Sequence, residues 1–236
     1  VFPTFFERVG DLFRDTFVGL GLVNSKRSFE QVLLSTVGPR GEELESYSLE
    51  LALPPGGQTA FLTSEVADPQ KSATYLKARG LAQRIQGFFM VGDYAGRRLD
   101  GIGARMELSS SHYLLDVGGN GGSEFLQIIN PGAETVELQL EWLDRFGERQ
   151  LGSDHRIGPG AAFRLSMDGA SEPMPAEGGY LRLQSSAPVL GFLVSASPEW
   201  MATAPLRAPK ALSRLIAPHY FLDGQADASI LRLLNA

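Results

Sequence analysis

The chain has 236 residues, 43% hydrophobic and 20% charged, which supplies enough apolar material for packed cores and excludes wholesale disorder. Its formal net charge of −6 argues against nucleic acids and anionic membranes as partners, since both attract basic proteins. Cysteine is absent, which excludes disulfides and thiolate chemistry, and no apolar run reaches the roughly 20 residues of a membrane-spanning helix.

The predicted elements are almost all strands. Near the start, phenylalanine and valine recur every three or four positions, which predicts a short helix over residues 6–16. Apolar and polar residues then alternate with a period of two over residues 47–53 and again over residues 136–142. Glycine and proline turns separate such runs. About seven short strands in each stretch of roughly 105 residues predict an all-β fold of tandem immunoglobulin-like sandwiches.

A long internal repeat organises the chain. A strand-like run that ends in asparagine occurs three times and closes at Asn24, Asn130 and Asn235, which lie 106 and 105 residues apart. Proline–glycine and tyrosine–leucine pairs keep nearly the same offset. The boundaries that follow are a first sandwich in residues 1–108, a second in 109–212, and the first strands of a third repeat in 213–236.

The C-terminal segment needs a partner. Two strands are not stable alone, so we expect residues 213–236 to pack on the second sandwich or to exchange between copies of the chain. Deleting them should change either the stability or the oligomeric state.

Several motifs resemble a tandem repeat of bacterial exported and cell-surface proteins, whose sequence typically reads Gly-Leu-Ala-Leu-Val-Asn-Pro. The second repeat carries this pattern as Ile-Ile-Asn-Pro-Gly at 128–132, Gly-Pro-Gly at 158–160 and Gly-Tyr-Leu-Arg-Leu at 179–183. The resemblance implies an immunoglobulin-like sandwich in a secreted or cell-surface bacterial protein, with no catalytic residues to carry over. The first repeat departs from it, because Ser25 replaces the proline.

No residues with a catalytic signature stand out. The Gly-x-Ser-x-Gly motif of a nucleophile elbow is missing from the sequence. His112 and His219 recur at matching places in the repeat, which favours a structural role. Ser153, Asp154 and His155 are consecutive and do not predict a triad, because neighbouring strand residues point to opposite faces.

Acidic residues spaced by four recur at one place in the repeat. Carboxylate and amide oxygens suit Ca²⁺, and loops at the ends of sandwiches can hold it, although this spacing is not that of an EF-hand. Solvated acidic turn residues are the alternative. The candidate calcium ligands are Glu7, Asp11, Asp15, Asp116, Asn120, Glu124, Asp223 and Asp227.

The functional expectation follows from architecture. Sandwich repeats bury their own cores and present loops and edges to partners, so we expect a non-catalytic module for spacing, display or adhesion, with a protein or polysaccharide partner. The alternative is a carbohydrate- or calcium-dependent binding module. Trp200 is the candidate aromatic for sugar, with burial against a sandwich edge as its other interpretation.

Overall fold

The protein folds as an all-β structure in which every strand pair is antiparallel. None of the helices in the described part of the chain is long and apolar enough to cross a membrane. The computed structural model describes residues 2–3, 15–66, 74–80, 85–103, 108–115, 123–144, 146–166, 179–199 and 201–206.

Fifteen strands and one 3₁₀ turn lie within these ranges. The first half of the chain contains β1 (Phe2–Pro3), β2 (Thr16–Asn24), β3 (Glu30–Val37), β4 (Glu43–Leu53), β5 (Gln58–Leu62), the turn Thr63–Glu65, β6 (Tyr75–Gly80), β7 (Ile85–Asp93) and β8 (Leu99–Gly103). The second half contains β9 (Ser109–Leu115), β10 (Ser123–Ile129), β11 (Val136–Leu143), β12 (Arg149–Ile157), β13 (Ala162–Ser166), β14 (Tyr180–Ala196) and β15 (Met201–Pro205).

These strands form three sheets. Sheet 1 has the order β1-β6-β3-β4, and sheet 2 has the order β5-β2-β7-β8. Sheet 3 has seven strands, because the 17-residue β14 belongs to two layers. Residues 180–185 of β14 pair with β9 and β11, and β12 pairs with the other edge of β11. We call this part of sheet 3 arm 3a. Residues 190–196 of β14 pair with β10 and β15, and β13 pairs with the other edge of β10. We call this part of sheet 3 arm 3b.

Each half of the chain has its own apolar core. In the first half Val18, Leu20 and Leu22 point inward from β2, as a period of two requires. In the second half the corresponding inward residues Leu126 and Ile128 of arm 3b meet the inward leucines of arm 3a. Burying each such side chain contributes about 1.5–3 kcal/mol relative to leaving it exposed.

The core of the first half continues into the second half. The Phe89 ring of β7 lies 5.4 Å from the Phe192 ring of β14, in an edge-on arrangement. Val194 and Met201 of arm 3b belong to the same buried cluster as Val18. One face of arm 3b therefore packs on the core of the second half, and the opposite face completes the core of the first half.

The predicted strands at 47–53 and 136–142 are confirmed as parts of β4 and β11. The helix predicted over 6–16 is wrong at its last two residues, because Asp15 lies in a turn and Thr16 begins β2. Residues 6–14 of the prediction lie outside the described ranges. The same holds for the whole of the predicted third-repeat fragment, 213–236.

Candidate functional site

The asparagine that ends β2 holds neighbouring loops in the first half of the chain together. Asn24 is fully buried, and its Nδ2 donates to the carbonyl oxygens of Ser28 at 2.8 Å, Leu53 at 3.0 Å and Pro54 at 3.1 Å. Its Oδ1 accepts from the Lys26 backbone N–H at 3.0 Å. One side chain thus joins the loop after β2 to the turn after β4.

The asparagine that ends β10 makes the same bonds in the second half. The Asn130 Nδ2 donates to the carbonyl oxygens of Glu134 at 2.7 Å, Ile157 at 3.0 Å and Gly158 at 3.0 Å. Its Oδ1 accepts from the Gly132 N–H at 2.9 Å. An ionised carboxylate could not replace this amide, because it accepts hydrogen bonds but cannot donate them.

A buried ion pair connects the end of β7 to the segment after β14. The Nε of Arg98 donates to Asp93 Oδ2 at 2.9 Å, and its Nη1 donates to the Ser197 carbonyl at 2.8 Å. The side chains are 8% and 2% exposed. The hydrogen bond from Arg98, followed by those from backbone N–H groups, outweighs burial and lowers the pKa of Asp93. This pair ties the two halves with a charge-assisted network.

A second carboxylate links the facing edges of sheet 2 and arm 3b. Asp100 Oδ2 accepts from the Thr203 backbone N–H at 2.5 Å and from its Oγ1 at 2.8 Å. Asp100 lies on the edge strand β8 and Thr203 on the edge strand β15. The carboxylate thus uses an N–H that an edge strand leaves outside its ladder.

The contact between the two halves of the chain, which we call the junction, is also anchored by the carbonyl of Thr74. Gln127 Nε2 donates to this oxygen at 3.1 Å, and Arg164 Nη2 donates to it as well. The Arg164 guanidinium also lies 5.8 Å from the centre of the Phe125 ring. Desolvation of the guanidinium there lowers the pKa of Arg164 to about 10, although the residue as a whole is exposed.

The hairpin between β3 and β4 touches the turn between β12 and β13. The Tyr75 hydroxyl donates to the Gly160 carbonyl at 2.6 Å, and burial is the main cause that raises the pKa of Tyr75 to about 12. Gly41 has φ +88°, and a Cβ on it would overlap the Pro159 carbonyl oxygen. Glycine is required here by both backbone conformation and close approach.

Sheet 2 presents an apolar outer face. We call this set of side chains the apolar face: Phe17, Phe88, Met90, Tyr94 and Leu99. They lie over glycines, since a Cβ on Gly21 would overlap the Phe88 ring and one on Gly92 would come 2.8 Å from Phe17. Three of them, Phe88, Met90 and Leu99, line a groove of about 400 Å³ beside β8. Large exposed apolar patches on soluble proteins commonly mark interaction sites.

Arm 3a presents a polar outer face. A groove of about 400 Å³ there is lined by Glu137, Gln139, Asp154, Gln184 and Ser186, with Leu138 and Ser185. Its amides, hydroxyls and carboxylates are the groups that hydrogen-bond sugar hydroxyls.

Two of the predicted calcium ligands lie in the described part of the chain. Asp15 is exposed in the turn before β2, and its carbonyl accepts from Tyr94 N–H at 3.1 Å. Glu124 is 4% exposed within β10 and accepts from Ser195 Oγ at 3.2 Å. Among the described residues no group of three potential ligands is found. The other candidates lie outside the described ranges: Glu7, Asp11, Asp116, Asn120, Asp223 and Asp227.

The remaining sequence candidates are divided in the same way. Trp200 and His219 lie outside the described residues. His112 is fully buried, with Nε2 3.0 Å from the Ser109 carbonyl oxygen. The sugar-binding hypothesis for Trp200 therefore stays a prediction, because the residue is outside the described part of the chain.

Ser153 and His155 form a contact that sequence reasoning missed. They are two residues apart on β12, so they share a face, and Ser153 Oγ lies 2.8 Å from His155 Nε2. Partial burial against the Phe163 ring, 4.2 Å away, is the main cause that lowers the pKa of His155. Asp154 points to the other face, into the polar groove.

The junction and the apolar face were not predicted. Only the apolar face has a signal in the sequence, which is the alternation of glycine with large apolar residues in β2, β7 and β8, where Gly19, Gly21 and Gly101 lie across from Met90 and Phe88. Such glycines mark close coverage of a sheet.

The chain was compared with known proteins. No family model matches it, and no curated protein does. The crystal structure of Thermotoga maritima 1070 is similar over 43% of this chain and 96% of its own chain, with 19% sequence identity and a TM-score of 0.36. A likeness at this level does not identify a family.

Proposed function

We propose that the chain is a non-catalytic structural and interaction module of an exported bacterial protein, used for spacing, display or adhesion. It is built from two copies of one immunoglobulin-like sandwich repeat, followed by a fragment of a third. The observation that carries the proposal is the junction, where the core of the first half is completed by arm 3b and closed by buried polar contacts.

The two-copy interpretation is supported by matching local chemistry. Asn24 and Asn130 make the same four hydrogen bonds at equivalent positions. The strand order β9-β14-β11-β12 of arm 3a also parallels that of sheet 1, and β13-β10-β14-β15 of arm 3b parallels that of sheet 2.

The spacing role is supported by the side chains placed at the junction. A spacer must hold its units at one angle, and desolvated charges favour one geometry because any other leaves them unpaired. Asp93 and Arg98 meet this description, and Asp100 adds two bonds to Thr203.

Distances between spin labels test the spacing role. The chain has no cysteine, so Glu50→Cys and Gln184→Cys, both at exposed strand positions, place one label in each half. We expect one narrow distance distribution that does not change between low and high salt. A broad distribution spanning tens of ångströms would contradict a spacer.

Export is tested in the source bacterium. Cells are fractionated, and intact cells are treated with protease before detection with an antibody against the purified chain. We expect the protein in the medium or on the protease-sensitive surface. Its retention in the cytoplasmic fraction would contradict export.

A carbohydrate-binding role is the second candidate, favoured by the polar groove on arm 3a. A ligand that binds only the folded chain must raise its melting temperature. We expect one polysaccharide in a soluble panel to do so, and Gln139→Ala with Gln184→Ala to abolish the shift. Trp200→Ala tests the aromatic prediction in the same assay, and Ca²⁺ against EDTA tests the acidic residues.

A further inference from the structure

The apolar face has a counterpart that is already buried. Phe88 pairs with Gly21 of β2 as Phe192 pairs with Gln127 of β10. Phe88 and Met90 therefore correspond to Phe192 and Val194. The latter two are fully buried because that face of arm 3b covers the first half, whereas Phe88 remains 39% exposed.

A hairpin in the second half carries an exposed phenylalanine, whereas its counterpart in the first half packs on the other half of the chain. The hairpin at 38–42 is closed by a 2.8 Å bond from Gly38 N–H to the Glu42 carbonyl. The hairpin at 144–148 has the same closure at 2.9 Å and the same positive φ at its glycine. The first hairpin packs on the second half through Gly41. The second carries Phe146, which is 76% exposed.

These two surfaces correspond to the two surfaces that meet at the junction. At the junction, the turn that receives the first hairpin is Pro159–Gly160, and its counterpart in the first half is Pro55–Gly56. Gly56 has φ +68°, close to the +65° of Gly160, and open space around it. One copy of the chain thus offers the apolar face with this turn, and another offers its 144–148 hairpin.

We propose that the apolar face docks a second copy of this chain, head to tail. The second half of one copy seats on the apolar face of the next, and its hairpin, with Phe146, packs beside Pro55–Gly56. The contact repeats the junction that already joins the two halves within one chain. The proposal deepens the proposed function, on which it rests, by naming a partner for the module.

The chemistry predicts a weaker contact than the internal junction. The residue that corresponds to Asp100 is Ala202, and the residue that corresponds to its partner Thr203 is Gly101. Gly21 replaces Gln127. The hydrogen bonds that Asp100 and Gln127 make at the junction therefore have no counterpart in this contact. The apolar contacts remain, so association should be reversible. A head-to-tail contact has two different surfaces and continues beyond a dimer unless it closes into a ring.

The first test is sedimentation velocity over a range of concentrations, with light scattering for mass. We expect the wild-type mass to rise with concentration beyond that of a dimer. Phe88→Glu and Phe146→Glu should each raise the apparent dissociation constant at least about tenfold, since a charge in an apolar contact is left unpaired. Phe29→Glu, at another exposed phenylalanine, should leave it unchanged.

Mixing the two variants decides the geometry. Each retains one intact surface, so an equimolar mixture of Phe88→Glu and Phe146→Glu should form 1:1 dimers and nothing larger. A symmetric face-to-face dimer would be insensitive to Phe146→Glu and would show no rescue, which overturns the proposal. Circular dichroism melts establish that both variants remain folded.

A wild-type chain that stays monomeric at about 1 mM also overturns the proposal. That outcome leaves the label distances between Glu50 and Gln184 unaffected. Failure of self-association is thus distinguishable from failure of the proposed spacing role.

Discussion

Asp93 shows how single residues hold the junction. Its carboxylate accepts from the Arg98 side chain and from the Arg97 N–H at 2.8 Å, while Arg98 reaches on to the Ser197 carbonyl. These bonds favour the charged form, so the folded chain lowers the pKa of Asp93. The group therefore couples stability to pH.

The sign of this coupling gives a prediction. A lowered pKa means that the contribution of Asp93 is present above its unfolded value of about 3.9 and is lost as pH falls through the lower folded-state pKa. We expect Asp93→Asn to melt below wild type at pH 7, and the difference to be smaller at about pH 3, which lies below the unfolded value. Asp154→Asn, at an exposed site, is the control. An equal difference at both pH values would contradict this account.

The asparagine contacts give a second prediction at this scale. Asn130→Ala removes three donated bonds to carbonyls at the end of the sandwich and should cost about 2–4 kcal/mol of unfolding free energy. Asn130→Asp retains the shape and the acceptor but cannot donate, so it should be as damaging at pH 7. Urea titrations measure both, and a wild-type stability for Asn130→Asp would refute the role of the amide.

At the scale of elements, the alternation of apolar and polar residues predicted the strands but not which strands pair in each sheet. Leu49, Leu51 and Leu53 alternate with polar residues, which is sufficient to locate β4. The course of β14 through both arms of sheet 3 was not predictable in this way, because period two does not say which neighbours a strand pairs with. Its irregular register between Gln184 and Val189, where Pro188 lies, marks the crossing.

Two glycines separate local strain from the junction. Gly41 and Gly96 both have positive φ, at +88° and +70°, so alanine at either should cost about 1–2 kcal/mol. Only at Gly41 would a Cβ overlap the other half of the chain, since Gly96 has open space around it. We expect Gly41→Ala to lose clearly more stability and to shift the Glu50–Gln184 label distance. Equal losses and unchanged distances would show that the hairpin contact is unimportant.

At the scale of the molecule, the junction was beyond sequence reasoning. Its contacts join residues such as Thr74 and Gln127, or Asp100 and Thr203, that are far apart in the chain and belong to no local pattern. The repeat length could be read from recurring asparagines and turns. The packing of arm 3b on the first core could not be read in this way. The apolar face of sheet 2 has the corresponding place in the repeat and nevertheless stays exposed.

A shared core predicts shared stability. Phe192 lies in β14 but packs on Phe89, so Phe192→Ala should cost about 3–5 kcal/mol and weaken strands of both halves. Phe29→Ala, at an exposed loop position, should cost almost nothing. Thermal unfolding measures both changes. A loss confined to the second half would contradict the shared core.

Native-state hydrogen exchange in increasing urea tests whether the two halves unfold as one unit, because it reports on each strand separately. We expect the most protected amides of β2 and β3 to exchange with the same unfolding free energy as those of β10 and β11. If one half exchanged several kcal/mol earlier while the other remained protected, the two sandwiches would be independent units and the rigid-module account would be wrong.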